Sequence, residues 1–140
     1  MRLCLDAGLL MRAVEGTPDV RAAVARILRQ ADETMPRGIV ASHLARAECL
    51  IMPVRNRSAS RYHEFLNFFA QSSIEMIEVT QEILSIAIDL RAHQRLKMID
   101  AIQVATAQAA DCEVLFTTDG GVADRGPYGR VRIERFPRDF

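Results

Sequence analysis

Four carboxylates occupy positions where an apolar or neutral residue would be expected. Asp6 follows the short apolar run of residues 3–5, and Asp119 comes just after a second apolar run. Glu48 falls on the apolar face of a helical pattern, and Asp100 opens a stretch of almost wholly small and apolar residues. An unpaired carboxylate on an apolar face costs free energy, so these acids need a structural or a chemical explanation.

The chemical explanation is a cation held by several carboxylates. Two carboxylates about 5 Å apart repel by roughly 3 kcal/mol at an effective dielectric constant of about 20. A cluster of acids therefore needs protons or a bound cation to persist. A set of oxygen ligands without histidine or cysteine suits Mg²⁺ or Mn²⁺ rather than zinc. Such an ion works on phosphate oxygens and lowers the pKa of a bound water, which indicates hydrolysis of a phosphate ester.

Each acid also has a structural interpretation. Asp6 and Asp100 could each cap a helix, and Asp119 stands before two glycines, where it could belong to a turn. Glu48 could pair with an arginine, for example Arg46. Taken alone, each of these alternatives stays open. The similar positions of the four acids favour one shared site.

The elements that must position the acids alternate between strand and helix patterns. Buried strands are expected at the short apolar runs of residues 3–5 and 39–41. Further strands are expected at residues 74–79 and 113–117. Apolar and charged residues alternate over residues 131–134, which is typical of an exposed edge strand. Helical patterns between the runs predict an α/β fold, a three-layer α/β/α sandwich around a mostly parallel sheet. In such sheets ligands bind at the carboxyl ends of the strands, where Asp6 would lie.

Local signals set the expected helix ends. Thr17, Ser42 and Thr80 are expected as N-caps, and Gly16 is expected as a C-terminal cap. Residues 35–38 and 53–60 are expected to be loops, the second one basic. The helical pattern over residues 101–110 is apolar on nearly all sides, which predicts a buried helix.

Length and composition restrict the class of protein. The 140 residues predict a single domain, 1–140, with 49% hydrophobic and 26% charged residues. A formal net charge of zero argues against non-specific nucleic-acid binding as the main function. Cys4, Cys49 and Cys112 are far apart and are expected to be buried, reduced thiols. No apolar run is long enough to span a membrane and no signal peptide is evident, so we expect a cytoplasmic protein.

Four segments, in order along nearly the whole chain, resemble the motifs of the PIN-domain family, and most closely the VapC-type toxins of bacterial toxin–antitoxin modules. They are LDAGLL at residues 5–10, SHLARAE at 42–48, IDAIQVATA at 99–107 and TTD at 117–119. The resemblance implies a Rossmann-like fold and a Mg²⁺- or Mn²⁺-dependent ribonuclease. In such an enzyme Asp6, Glu48, Asp100 and Asp119 would be the catalytic, metal-binding acids and Thr117 a supporting hydroxyl. A homodimer and a cognate antitoxin lying across the site are also implied.

Two positions depart from the family pattern. Gly8 stands where the family usually has Asn, Ser or Thr, and Gln103 stands where His is frequent. Loss of a side chain that orients the acids would weaken metal binding or rate. The alternative function is therefore a catalytically weakened PIN-like domain that acts as an RNA- or protein-binding module. Asp124, five residues after Asp119, is a further candidate ligand or a surface acid.

The expected reaction is hydrolysis of an RNA phosphodiester bond by a metal-activated water, with no side-chain nucleophile. A second enzymatic alternative is a phosphohydrolase with Asp6 as nucleophile. That chemistry normally uses a lysine near the phosphate, and Lys97 is the only lysine in the chain. Two groups of basic residues could follow the phosphate backbone or could simply be solvated. They are Arg55, Arg57 and Arg61, and Arg91, Arg95 and Lys97.

One helical segment carries more aromatic residues than a single face can bury. These are Tyr62, Phe65, Phe68 and Phe69. Aromatic side chains left outside a core are typical of protein interfaces. We therefore expect one or two of them to contact a second protomer or an antitoxin.

Overall fold

A computed structural model describes residues 2–35 and 38–136 of the chain. Within these residues the strands are β1 (Leu3–Leu5), β2 (Ile39–Ser42), β3 (Glu75–Ile77), β4 (Val114–Thr117) and β5 (Arg132–Arg135). The helices are α1 (Ala7–Glu15), α2 (Pro18–Thr34), α3 (His43–Arg55), α4 (Ala59–Gln71), α5 (Gln81–Gln94), α6 (Met98–Ala109) and α7 (Gly120–Arg125). No helix in the part of the chain that the structure describes is long and apolar enough to cross a membrane.

The strands form one sheet in the order β3-β2-β1-β4-β5, and every neighbouring pair is parallel. Helices cover both faces, so the α/β sandwich predicted from the sequence is confirmed. Leu3 and Leu5 belong to the core shared with α1 to α4. Cys4, between them, belongs to the core shared with α5 and α6. The central strand is therefore apolar throughout because it is buried on both faces.

The strand register brings distant residues to the same edge of the sheet. Leu5 pairs with Ala41 on β2 and with Phe116 on β4. The residues that follow these partners, Ser42 and Thr117, therefore flank Asp6 at the carboxyl edge. This placement follows from the pairing of three short strands that are far apart in sequence.

Most of the expected helix starts are confirmed. The Thr17, Ser42 and Thr80 side chains accept hydrogen bonds from the backbone N–H groups of α2, α3 and α5 at 3.4, 3.1 and 3.2 Å. Helix α6 has seven consecutive buried residues, so the expected buried helix is also confirmed. Of the expected loop at residues 35–38, Pro36 and Arg37 lie outside the described residues.

The expectation of a loop from residue 53 was wrong, since α3 continues through Pro53 to Arg55. A proline inside a helix removes one backbone hydrogen bond, but the surrounding bonds hold the helix. The Asn56 amide donates to the Met52 carbonyl at 2.9 Å. The reversal is confined to residues 56–58, where Arg57 adopts a left-handed φ of 52°.

Gly16 caps the C-terminus of α1, as expected, and its backbone is extended (φ −65°, ψ 164°). A Cβ at Gly16 would lie 2.5 Å from the Arg12 carbonyl oxygen, so close packing is what requires the glycine. Strand β3 has three residues instead of six, since it forms an edge of the sheet and Glu75 is exposed. The edge strand expected at residues 131–134 is confirmed as β5.

Candidate active site

A cleft of about 160 Å³ lies at the carboxyl edge of the sheet. All four acids singled out from the sequence line it, although they come from four separate parts of the chain. The lining residues are Asp6, Ala7, Gly8, Glu48, Ile99, Asp100, Gln103, Thr118 and Asp119. The fold therefore brings the four acids to one place.

Asp6 is the most buried of these acids, with 9% of its surface exposed. Its Oδ1 accepts a hydrogen bond of 2.9 Å from the Leu9 amide, so Asp6 caps α1. Its Oδ2 accepts bonds from the Thr117 hydroxyl at 2.7 Å and from the Thr118 amide at 3.0 Å. Asp6 therefore caps α1, as the structural interpretation predicted, and the same carboxylate lines the cleft.

Thr117 joins two of the acids. Its buried hydroxyl donates to Asp6 and accepts a bond of 3.0 Å from the Asp119 amide. The Asp119 Oδ1 in turn accepts bonds from the Gly121 and Val122 amides at 2.7 and 3.3 Å. These bonds make Asp119 the N-cap of α7, a helix that the sequence pattern missed because two glycines open it.

Glu48 lies on α3, half-buried, and faces Gln103 on α6. Gln103 Nε2 donates to Glu48 Oε1 at 3.3 Å. Burial raises the pKa of Glu48, the bond from Gln103 lowers it, and the charges of Asp100 and Asp6 raise it further. The structure gives Glu48 no ion pair within the described residues; Arg46 instead lies over the Phe69 ring, 5.4 Å from its centroid.

Asp100 is the third residue of α6 and not its N-cap, which is Lys97. The capping interpretation of Asp100 is therefore wrong. Burial raises the pKa of Asp100, and the charges of Asp119 and Asp6 raise it further, while Lys97 lowers it. The charges of Asp119 and Asp6 thus act against the charge of Asp100.

The donor chemistry of the cleft fits a hard divalent cation. Within residues 2–35 and 38–136, however, no three acid, histidine or cysteine side chains are arranged so that they could together hold a metal ion. The acids supply oxygen atoms only, which Mg²⁺ and Mn²⁺ prefer. Gln103 adds an amide oxygen, Oε1, that is buried and accepts no hydrogen bond. A cation would offset the repulsion that raises the pKa values of Glu48 and Asp100.

Gly8 and Thr118 meet inside the cleft, 110 positions apart in the sequence. A Cβ on Gly8 would lie 2.0 Å from Thr118 Oγ1 and 3.1 Å from Thr118 Cβ. The Thr118 side chain therefore fills the space that a side chain at position 8 would need. The sequence contained Thr118, inside its fourth motif, but nothing in the pattern showed that it packs against Gly8.

Other sequence candidates lie away from the cleft. Asp124 is exposed on α7 and does not line it. Lys97 is exposed and is also absent from the lining. Of the basic residues, Arg61 pairs with Glu15 and Glu64 on the surface.

The four aromatic residues of α4 divide into two groups. Phe65 is fully buried in the core, so it is not available to a partner and that part of the expectation is corrected. Phe65 and Phe69 stack with centroids 6.2 Å apart, and Phe68 meets Phe69 edge-on at 5.6 Å. Tyr62, Phe68 and Phe69 are only partly buried and remain candidates for a partner surface.

Several solved structures share this fold. VapBC2 from Rickettsia felis, bound to a DNA fragment from the VapBC2 promoter, matches with a TM-score of 0.79 and 17% identity, over 98% of this chain and 100% of that one. A toxin-antitoxin complex from Klebsiella pneumoniae matches with a TM-score of 0.65 and 24% identity, over 94% and 95%. VapC20 from Mycobacterium tuberculosis, a sarcin-ricin loop cleaving toxin, matches with a TM-score of 0.69 and 14% identity, over 93% and 98%.

Sequence comparison identifies the family directly. No curated protein sequence matches the chain. The family model described as "PIN domain" matches residues 3–126, a range that includes the four acids, Thr117 and Thr118. The chain belongs to the PIN domain family.

Proposed function

We propose that this protein is a metal-dependent ribonuclease and the toxin of a toxin–antitoxin pair. The observation that carries the proposal is the convergence of Asp6, Glu48, Asp100 and Asp119 on one cleft at the carboxyl edge of the sheet. Membership of the PIN domain family supports a nuclease. VapC20, which shares the fold, is a sarcin-ricin loop cleaving toxin and supports RNA as the substrate class.

We propose Mg²⁺ or Mn²⁺ as the cofactor. When bound, such an ion polarises a phosphate and lowers the pKa of a water molecule. Asp6, Asp100 and Asp119 would hold the ion, and Glu48 would hold it or orient the attacking water. Thr117 would fix the Asp6 carboxylate through their bond of 2.7 Å.

Gln103 would favour the charged form of Glu48 against the effect of burial. Its Nε2–H donates to the Glu48 carboxylate and lowers the pKa of that group. Burial acts in the opposite direction and raises the same pKa. A charged Glu48 is the form that can accept a proton from the attacking water or bind a cation.

Two partners are part of the proposal, a cognate antitoxin and a second copy of the chain. The structures that share the fold include toxin–antitoxin complexes, which supports the antitoxin. The partly buried Tyr62, Phe68 and Phe69 on α4 are the surface that we propose for a partner. Their aromatic area is of the kind enriched in protein interfaces.

The structure disfavours the phosphohydrolase alternative. Asp6 accepts three hydrogen bonds, which withdraw electron density from its carboxylate and make it a weaker nucleophile. The lysine that this alternative would use, Lys97, is exposed and does not line the cleft. The binding-module alternative keeps the same cleft but predicts no turnover.

Purified protein without a partner, incubated with RNA, separates these possibilities. We expect cleavage with Mg²⁺ or Mn²⁺, none with EDTA, and no release of phosphate from a phosphomonoester such as p-nitrophenyl phosphate. RNA binding without cleavage by folded protein would support the binding module instead. Hydrolysis of the monoester but not of RNA would support the phosphohydrolase.

A further inference from the structure

The side chains that line the cleft offer few hydrogen-bond donors. Of its lining side chains, four are carboxylates, and ionised carboxylates accept hydrogen bonds but cannot donate them. Ala7, Gly8 and Ile99 have no polar side-chain atoms. Gln103 has a donor, but its Nε2 is bonded to Glu48. The hydroxyl of Thr118 is the remaining side-chain donor among the described residues that line the cleft.

The Thr118 hydroxyl also has no hydrogen-bond partner among the described residues. Its backbone amide donates to Asp6 Oδ2 at 3.0 Å, which fixes the residue beside the most buried acid. Its Oγ1 makes no hydrogen bond to any other residue that the structure describes. A half-buried hydroxyl that is held in place and has no partner is suited to receive a ligand atom.

Gly8 determines where this hydroxyl lies. The missing Cβ at position 8 leaves a space that Thr118 Oγ1 fills, only 2.0 Å from where the Cβ would be. A side chain at position 8 would displace Thr118 Oγ1 from this place, and it would also crowd Thr118 Cβ and Cγ2 at 3.1 and 3.2 Å. Gly8 is therefore a condition for the Thr118 hydroxyl to reach the cleft, not simply a missing polar group.

We propose that Thr118 binds the substrate, with its hydroxyl donating a hydrogen bond to a phosphate oxygen of the RNA in the cleft. A phosphodiester oxygen accepts hydrogen bonds and carries the negative charge that strengthens them. The four acids cannot make this contact. This inference rests on the proposed ribonuclease function and names a substrate-binding residue of the same site.

Direct binding in a catalytically silent background tests the hydroxyl. The Asp100→Asn protein is titrated into fluorescein-labelled RNA, with and without Thr118→Val, which keeps the shape and removes the hydroxyl. We expect the dissociation constant to rise about tenfold, as for the loss of one hydrogen bond to a charged group. Thr118→Ser, which keeps the hydroxyl, should restore binding to within about twofold of the Asp100→Asn protein.

The role of Gly8 is tested in the same assay. Gly8→Ala should weaken RNA binding as much as Thr118→Val, and the two together should be no worse than either alone, because both remove the same contact. In thermal unfolding, Gly8→Ala should lower the melting temperature, and adding Thr118→Ala should recover part of the loss. Additive losses in RNA binding would contradict the shared contact.

The outcomes separate this proposal from the proposed function. If the wild-type protein cleaves RNA and Thr118→Val binds RNA as tightly as its parent, the Thr118 proposal alone is wrong. If the wild-type protein neither binds nor cleaves RNA, the proposed function is wrong and this proposal falls with it. The thermal unfolding of the Gly8 variants tests the packing in either case.

Discussion

The Thr117 hydroxyl donates a hydrogen bond of 2.7 Å to the Asp6 carboxylate, across 111 positions of the sequence. Asp6 directly follows β1 and Thr117 is the last residue of the neighbouring strand β4, so the sheet register brings them together. The same hydroxyl accepts a bond from the Asp119 amide at 3.0 Å. One buried threonine thereby fixes two of the four acids of the cleft.

Replacing Thr117 with valine should therefore affect both stability and metal binding. Thr117→Val keeps the volume, leaves Asp6 Oδ2 with one donor fewer and removes the acceptor of the Asp119 amide. We expect the free energy of unfolding to fall by about 1–3 kcal/mol in urea denaturation. Titration calorimetry with Mn²⁺ should show weaker binding.

Thr106→Val provides a matched control for that experiment. The buried Thr106 hydroxyl also makes a bond of 2.7 Å, to the Ile102 carbonyl within α6, but it does not line the cleft. This variant should change the stability while leaving Mn²⁺ affinity unaltered. Equal effects of the two variants on Mn²⁺ binding would argue against a special role for Thr117.

Gln103→Leu should raise the pKa of Glu48, because it removes the hydrogen bond that favours the charged carboxylate. A carboxyl carbon titration by NMR on metal-free protein measures the shift. Gln108→Leu is the control, since Gln108 lies on the same helix and its Nε2 donates at the same distance, 3.3 Å, to the Tyr128 carbonyl outside the cleft. If the pKa of Glu48 were unchanged in Gln103→Leu, the hydrogen bond from Gln103 would not favour the charged carboxylate.

The metal-free protein should become more stable when Glu48 or Asp100 loses its charge. Burial raises both pKa values above the ordinary 4.5 and 3.8. The folded chain then binds protons more tightly than the unfolded chain, so stability rises as the pH falls through the raised pKa values. Above those pKa values both carboxylates are charged, and the free energy of unfolding is lowered by the full amount.

Glu48→Gln and Asp100→Asn should consequently raise the melting temperature at pH 7 in EDTA. The gain should be below about 1 kcal/mol each, since both groups are only half-buried. It should shrink as the pH approaches 4, where the wild-type acids become protonated. Asp89→Asn, an exposed acid of α5, is the control. A loss of stability in the two cleft variants would show that the charges of Glu48 and Asp100 do not destabilise the metal-free protein.

The three cysteines should differ in reactivity. Burial raises the pKa of Cys49 to about 12, and the nearby Glu48 charge adds to the effect. The pKa of Cys4 is also raised, while a hydrogen bond with Cys4 lowers that of Cys112. All three thiols are buried, but Cys112 lines a surface pocket through which a reagent can approach. Because the thiolate is the reactive form, iodoacetamide at pH 8 should label Cys112 first, as read by peptide mass spectrometry. Earlier labelling of Cys49 would show that its surroundings are not as described.

The sequence predicted the central strands of the sheet better than the edge strand β3 and the ends of the helices. Strands β1, β2 and β4 could be located because burial on both faces produces unbroken apolar runs. The length of β3 was overestimated, because only residues 75–77 of the expected 74–79 pair with β2. The helical course through Pro53 and the short helix α7 were missed because proline and paired glycines usually indicate breaks. Tertiary packing decided both cases.

The acids of the cleft could be found in the sequence, but their supporting contacts could not. Asp6 and Asp119 follow strands, and strand ends meet at one edge of a parallel sheet. The bond between Gln103 and Glu48 and the packing of Thr118 on Gly8 depend on side chains that approach across 55 and 110 positions. No local pattern encodes such contacts. From the sequence, Gly8 is only the absence of a polar side chain. In the structure, Thr118 fills the space that such a side chain would need.

RNA cleavage by two matched aspartate variants tests the central claim most directly. Asp100 lines the cleft, whereas Asp124 is exposed and lies outside its lining. With Mg²⁺, we expect Asp100→Asn to reduce kcat/KM at least about 100-fold, as for the loss of roughly 2.7 kcal/mol of transition-state stabilisation. Asp124→Asn should cleave like the wild-type protein. Equal cleavage by both variants, or cleavage by Asp100→Asn at the wild-type rate, would contradict the account.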